Sequence, residues 1–380
     1  MATPPSNNVK NLRVLMLVSD GHGGTGGIAQ YNRDVLEAYS RVESISEVRV
    51  VSRNPGAHLL VFPPKVRYVL PGGNIPCFTL IAIADATLRS RPNLIHCAHI
   101  NFIPVARAIK ALTGAPILLS VHGTDAWIRP VRRLTLRSLE SVNYIASVSQ
   151  ITLDRIGCWC DLTRVPHGLI PNTVSIERFR PGARNRELAN SLGLSDRKIV
   201  MTLGRMDSRE RAKGFDELIE LMPRLKAERR DIALLLAGDG DDRPRLQVKA
   251  RELGLQNDVV FTGFVPEPLK ADYFRLADAF VMASRWEGFG IVLLEALACG
   301  VPVVGSTLDG TREALLEGEL GVVVDPRDPD ALARAILSAV DRVKVVPPGL
   351  ERYTFPHFIE GWQSVVQQIV QLRGRRTGRR

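Results

Sequence analysis

From residue 198 to residue 324 the chain repeats one pattern: a short unbroken apolar run, then a stretch with helical spacing. The runs are 198–203, 232–237, 259–262, 279–283, 301–304 and 322–324. Runs this short, without polar alternation, are strands covered on both faces, and strand–helix alternation joins such strands in parallel. The first half shows the pattern less regularly, at 13–19, 48–52, 94–100, 116–121 and 144–149. At 380 residues the chain is long enough for two cores. The expectation is therefore α/β, with two doubly wound parallel sheets. The domains expected are 1–172, 173–353, a last helix over 354–372, and an Arg-rich flexible tail over 373–380.

In such sheets ligands sit outside the C-terminal ends of the strands, so the residues following each run are the candidates. After 279–283 come Trp286-Glu287-Gly288-Phe289-Gly290, then an apolar helix from Gly290 to Cys299, stopped by Gly300 and Pro302. Glu295 is the only polar side chain in that helix, and no Lys or Arg stands three or four residues from it. A buried carboxylate costs several kcal/mol unless something bonds to it. Its partner is either a distant cation or backbone amide of the core, or a hydroxyl of a ligand. Glu287 lies in the turn, where the N–H groups opening a helix at Gly288–Ile291 favour an anion. After 198–203 come Arg205 and Lys213, cations placed to hold a diphosphate; Arg209 and Arg211 compete for that role. In the first half, the run 13–19 leads into a glycine-rich segment ending Gly26-Gly27 and then a helix, the geometry that cradles phosphate. The dinucleotide fingerprint is absent, because the run 48–52 ends in Arg53 and not in an acid. His122 follows the run 116–121. Asp125 reads either as an acceptor contact or as a helix N-cap.

Glu287 and Glu295, eight residues apart with Gly-Phe-Gly between, form a pattern that resembles the donor-site signature of retaining glycosyltransferases of family 4. The resemblance extends over almost the whole chain and includes Pro171-Asn172-Thr173-Val174, which is similar to the family's interdomain passage. It implies the GT-B architecture, two Rossmann-like domains facing across a cleft, with the last helix returning to the first domain. It also implies roles: Gly26 and Gly27 near the donor diphosphate, His122 beside the transferred sugar, Arg205 and Lys213 on the leaving diphosphate, and Phe264 or Val265 at the nucleobase. Glu287 would then bind the sugar, Gly288, Phe289, Gly290 and Ile291 the phosphate end, and Glu295 the ribose. No cofactor or metal is expected, since the cations suffice and no Asp-x-Asp at a strand end asks for a metal.

The net charge of +10 is uneven. Residues 1–172 hold 18 Lys+Arg against 10 Asp+Glu, residues 173–372 hold 27 against 30, and residues 373–380 add five arginines. An anionic membrane or nucleic acid would suit the first half, and solubility alone explains it equally. Low aromatic content, 6%, gives no stacking platform, so no nucleic acid is expected. Residues 129–142 read as a helix with Arg129, Arg132, Arg133 and Arg137 on one face, suited to lipid head groups or a lipid-linked acceptor, or to solvent alone. No apolar run spans a bilayer, the first residues do not read as a signal peptide, and five cysteines without paired spacing suit a reducing compartment. The location expected is cytoplasmic, peripheral on the inner membrane face.

The function so implied is transfer of a hexose from a GDP- or UDP-sugar to a lipid-linked or membrane-presented saccharide, in cell-surface polysaccharide (exopolysaccharide or lipopolysaccharide) biosynthesis. A same-fold nucleotide-sugar epimerase or phosphorylase, and a non-catalytic nucleotide-sugar-binding protein, are the alternatives.

Overall fold

The computed structural model describes residues 11–22, 24–54, 62–69 and 74–377. The chain divides into two compact units, Met1–Asn172 with Phe355–Arg380, and Thr173–Thr354.

The first unit is built on seven parallel strands: β1 (Leu12–Val18), β2 (Ile45–Ser52), β3 (Val66–Val69), β4 (Leu94–Cys97), β5 (Ile117–Val121), β6 (Tyr144–Ser147) and β7 (His167–Leu169). Their order is β3-β2-β1-β4-β5-β6-β7. One layer of core packs Leu15, Leu17, Ile95 and Leu119 of the sheet against Phe78, Ile103 and Ile109 of the helices. The helix Phe355–Thr377 belongs to this unit, where Trp362 is fully buried, 5.4 Å from the Tyr39 ring and 5.2 Å from His96. His96 lies between Tyr39 Oη (3.1 Å) and Ser120 Oγ (2.7 Å), and burial lowers its pKa to about 3, so it is a neutral core residue.

The second unit has six parallel strands: β8 (Lys198–Leu203), β9 (Ile232–Ala237), β10 (Val259–Gly263), β11 (Ala279–Val281), β12 (Val303–Ser306) and β13 (Val322–Val324). Their order, β10-β9-β8-β11-β12-β13, reverses direction between β8 and β11, as the first sheet does between β1 and β4. Each reversal splays the flanking loops apart at the C-terminal edge, which makes room for a ligand there. Val200, Leu234, Leu236 and Val304 pack against Leu218, Met222 and Ile336 to fill this core.

Four expectations need correction. β3 and β7 are strands the sequence does not announce: each has only three or four residues at the growing edge of the sheet, and His167-Gly168-Leu169 lacks a continuous apolar run. β4 stops at Cys97, three residues before the expected end, which frees His99 from the sheet. The basic helix is only Arg133–Leu139, because Pro130 and the extended Arg132 break it; Arg129 and Arg132 precede it, and only Arg133 and Arg137 share a helical face. The terminal helix runs to Thr377, so residues 373–377 of the expected flexible tail are helical, while 378–380 lie outside the described residues. Among the described residues no helix is long and apolar enough to cross a membrane.

Candidate functional site

In the second unit the two loops flanking the sheet reversal are joined to each other. The loop after β8 carries Arg205 and ends in the short turn Arg211–Lys213, and the loop after β11 carries Glu287. The Arg285 N–H donates to Ala212 O (2.8 Å). Gly214 follows at φ 89°, and a Cβ there would sit 2.4 Å from Ala283 O, so only glycine lets the two backbones meet. That close approach sets Lys213 Nζ 3.2 Å from Glu287 Oε2 and 3.6 Å from Glu210 Oε2. The Glu287 carboxylate raises the Lys213 pKa, fixing the ammonium charge. Arg205 reaches Glu210 Oε1 (3.0 Å) with one terminal nitrogen and lies 3.8 Å from Asp207 Oδ2 through Nε, and its side chain is 63% exposed. Arg209 behaves differently. Its guanidinium is bidentate on Asp207 (3.0 and 2.8 Å), which holds that carboxyl well below its usual range, so both arms of its fork are occupied. Arg211 leans on Asp242 at 3.4 Å.

The loop after β11 closes on Gly290 in the left-handed region, and the helix Ile291–Ala298 starts there. Its first-turn N–H groups have no partner within the helix and carry the positive end of the helix dipole. Phe289 is buried, 5.6 Å from the Tyr353 ring, so it anchors the loop. Glu295 is buried inside this helix, and its cation comes from far along the chain: Lys270 Nζ is 3.2 and 3.1 Å from its two oxygens, and Lys270 also pairs with Glu267 (2.9 Å). Burial still raises the Glu295 pKa, with Lys270 opposing. Of the two partners open from the sequence, the distant cation is present, and each oxygen keeps lone-pair capacity for a further donor. Beyond β10, Phe264 is 60% exposed whereas Val265 is buried.

In the first unit the glycine-rich loop after β1 is held by the helix Gly27–Arg41. Arg33 donates to Gly21 O (3.1 Å) and Gly24 O (2.8 Å), and Asn32 donates to Asp20 O (2.8 Å). Gly26, the N-cap, and Gly27 are exposed, with open space where a Cβ would stand. His122 follows β5, edge-on to the Tyr31 ring at 4.9 Å. Its Nε2 is 3.1 Å from Ala98 O, a pure acceptor, so Nε2 carries the hydrogen. Burial lowers its pKa to about 4, which leaves neutral imidazole with Nδ1 as an acceptor, buried and without a partner among the described residues. Asp125 lies inside the short helix Thr124–Trp127, whose N-cap is Gly123, so the N-cap reading of Asp125 fails. Its Oδ1 accepts the His122 backbone N–H (3.0 Å), its Oδ2 is buried without a partner among the described residues, and burial raises its pKa to about 6. Two buried acceptors three residues apart, lacking donors among the described residues, match a ligand that presents hydroxyl groups.

Residues 184–344 match the family model Glycosyl transferases group 1, and residues 25–178 match Glycosyltransferase Family 4. The chain belongs to glycosyltransferase family 4. Among its relatives is the GDP-mannose-dependent alpha-(1-6)-phosphatidylinositol monomannoside mannosyltransferase of Mycolicibacterium smegmatis, 36% identical over 248 residues. That match covers 61% of this chain and 62% of the relative, so the chain spans less than two thirds of that protein's length. The fold is that of sucrose-phosphate synthase from Thermosynechococcus elongatus (TM-score 0.78, 22% identity, 95% of this chain and 100% of the other). It is equally that of Anabaena HepE in complex with UDP (TM-score 0.74, 18% identity, 94% and 100%). These are GT-B glycosyltransferase folds, with two Rossmann-like parallel-sheet domains.

Three residues of this family 4 chain escape a reading of its sequence. Lys270 has no signal, because it meets Glu295 only through folding. His99, beside Asp125, was hidden by the overlong strand expectation, although it follows β4 as His122 follows β5. Asp309 accepts the Glu287 backbone N–H at 3.0 Å; its place just after β12 was the available clue.

Proposed function

We propose that this chain transfers a hexose from a nucleoside-diphosphate sugar to a lipid-linked saccharide, with retention at the anomeric carbon and without a metal ion. The observation that carries the reading is the Lys213–Glu287 pair, 3.2 Å apart beside the exposed Arg205, at the point where the second sheet reverses. A cation pair and a carboxylate at that edge suit a ligand with a diphosphate at one end and hydroxyls at the other.

Breaking the sugar–phosphate bond leaves its electron pair on the diphosphate and positive charge on the sugar ring. Arg205, Lys213 and the helix start at Gly288, Phe289, Gly290 and Ile291 offset the first, and Glu287 the second, while binding sugar hydroxyls. The acceptor hydroxyl oxygen bonds to the anomeric carbon from the face the diphosphate leaves, and its proton passes to the departing diphosphate oxygen. Glu295 accepts from the ribose, Phe264 and the Val265 backbone meet the base, and Gly26 and Gly27 give the diphosphate backbone N–H groups. His122, held neutral by burial, accepts a hydrogen bond from a sugar hydroxyl through Nδ1, and Asp125 accepts one from the acceptor.

The relative's name specifies GDP-mannose and a phosphatidylinositol monomannoside, which makes GDP-mannose the first donor to test and a membrane-anchored glycolipid the first acceptor class. The exposed Arg129, Arg132, Arg133 and Arg137 alternate with exposed Ile128, Val131 and Leu134, a composition suited to the interface of an anionic bilayer on the cytoplasmic side. Incubation with GDP- and UDP-sugars, with and without a lipid extract and with excess chelator, tests the reading. Nucleoside diphosphate release that needs lipid and ignores the chelator supports it. Epimerised donor, or tight binding with no turnover, would replace it with one of the other two functions, and a chelator-sensitive rate would overturn the metal-free part.

A further inference from the structure

Glu287 is gripped by its backbone from both sides by one short segment after β12. Its N–H donates to Asp309 Oδ2 (3.0 Å), and its C=O accepts from the Gly310 N–H (2.8 Å). The two segments touch: a Cβ on Gly310 would lie 2.0 Å from Gly288 O, so no other residue allows the contact. Asp309 is itself fixed from the other end. Its Oδ1 accepts from Thr311 N–H (3.1 Å) and Thr311 Oγ1 (2.7 Å), and Ser284 also bonds to the carboxyl. Thr311 Oγ1 in turn accepts from the Ser306 N–H at 2.8 Å, which ties the cluster to the end of β12.

Asp309, Thr311, Ser306 and Ser284 are all buried, and the bonded partners of Asp309 are neutral donors. A buried carboxylate without a cation is costly to keep, and closing the turn at Thr311 would need only one of its oxygens. The other is spent on a residue 22 positions away, at the site.

We propose that Asp309 is a positioning residue: it fixes the Glu287 backbone, and through it the direction of the Glu287 carboxylate toward Lys213 and the transferred sugar. This rests on the proposed role of Glu287. The charge at Asp309 is part of the device, because donors converge on both its oxygens. The groups facing it are Glu287 and, beyond Glu287, Lys213 and Glu210. Burial, reinforced by the Glu287 charge, raises the Asp309 pKa to about 7, with the Thr311 and Ser284 bonds opposing. Protonation places a hydrogen among these donors and loosens the grip on Glu287.

Asp309→Asn is the diagnostic change. Asn has the same shape but only one acceptor oxygen; kept on the two Thr311 donors, it turns its NH₂ toward the Glu287 N–H, donor against donor. The expected result is kcat reduced ~10–100-fold, with donor KM and the GDP or UDP dissociation constant within ~3-fold of wild type, because misdirection of a reacting group costs rate and leaves ground-state binding alone. The acid limb of the wild-type kcat profile near pH 7 is lost in the variant, and Thr311→Val, which removes one donor, gives a smaller fall in the same direction. Unchanged kcat, an acid limb retained in the variant, or nucleotide affinity falling in step with kcat would overturn the proposal. If the wild type turns over no sugar nucleotide, the reading of the site has failed, and amide hydrogen exchange then decides on the grip alone: Glu287 and Gly310 must exchange faster in Asp309→Asn, and equal rates sink it.

Discussion

Replacing Lys213 by Met removes the ammonium and keeps most of the stem. At 3.2 Å its attraction to Glu287 is about 5 kcal/mol at an effective dielectric of 20, before desolvation is subtracted. Both side chains are about four-fifths buried, at 23% and 22% exposure, so the net loss of stability falls at about 1–3 kcal/mol, between the values for surface and buried pairs. The catalytic loss is larger. A preorganised donor aimed at a departing oxyanion is worth a factor of about 10²–10³ in kcat. The two losses separate in the double variant Lys213→Met with Glu287→Gln, where the stranded carboxylate is gone: urea stability recovers and kcat does not. The assay is nucleoside diphosphate release at saturating donor, with the urea midpoint measured on the same samples. A folded Lys213→Met enzyme within about fivefold of wild-type kcat would refute the reasoning, because no transition-state cation of that worth was lost.

The His122 imidazole has a pKa of about 4 when folded and 6.5 when free, so below pH 6.5 the unfolded chain binds a proton that the folded chain refuses. Wild-type stability relative to His122→Gln should therefore fall by about 2 kcal/mol between pH 7 and pH 4.5, measured by urea unfolding of both proteins; a pH-independent difference would mean that His122 is not buried neutral. Phe264→Ala should raise donor KM about tenfold or more with kcat little changed, since base–aromatic stacking is worth about 1–3 kcal/mol; steady-state kinetics with the preferred donor checks this. Changing Arg129, Arg132, Arg133 and Arg137 together to Gln should weaken sedimentation with anionic vesicles by about 1 kcal/mol per cation at the surface and leave transfer to a water-soluble acceptor analogue intact. Binding that survives the fourfold change would place the membrane contact elsewhere.

The second unit was legible in the sequence because both faces of its sheet are covered. Each strand from β8 to β13 is built on an apolar run, with polar residues limited to Lys198 and Thr202 in β8, Thr262 in β10 and Ser306 in β12, and each expected segment overlaps the observed strand. The first sheet was legible only where the same condition holds. β3 and β7 are short edge strands that are largely not buried: Val66-Arg67-Tyr68-Val69 is interrupted by a charge, and His167-Gly168-Leu169 has two exposed residues, so neither leaves an apolar run in the sequence. The basic helix is shorter than its arginine spacing alone predicts because Pro130 and the extended Arg132 hold the preceding segment out of it. Within the site, Arg205, Lys213 and Glu287 could be placed because strand ends mark the ligand edge. What pairing along the chain cannot supply is tertiary: Lys270 reaches Glu295 across 25 residues, and Asp309 reaches Glu287 across 22. Both are charged groups that fold onto a segment already complete in its own pattern.

The most direct measurement is a crystal structure grown with saturating GDP or UDP. The account requires the diphosphate on Arg205, Lys213 and the N–H groups at Gly288–Ile291, with the ribose hydroxyls on Glu295 beside its Lys270 partner. A nucleotide-free edge at β8 and β11, with Glu295 bonded to Lys270 alone, would contradict it.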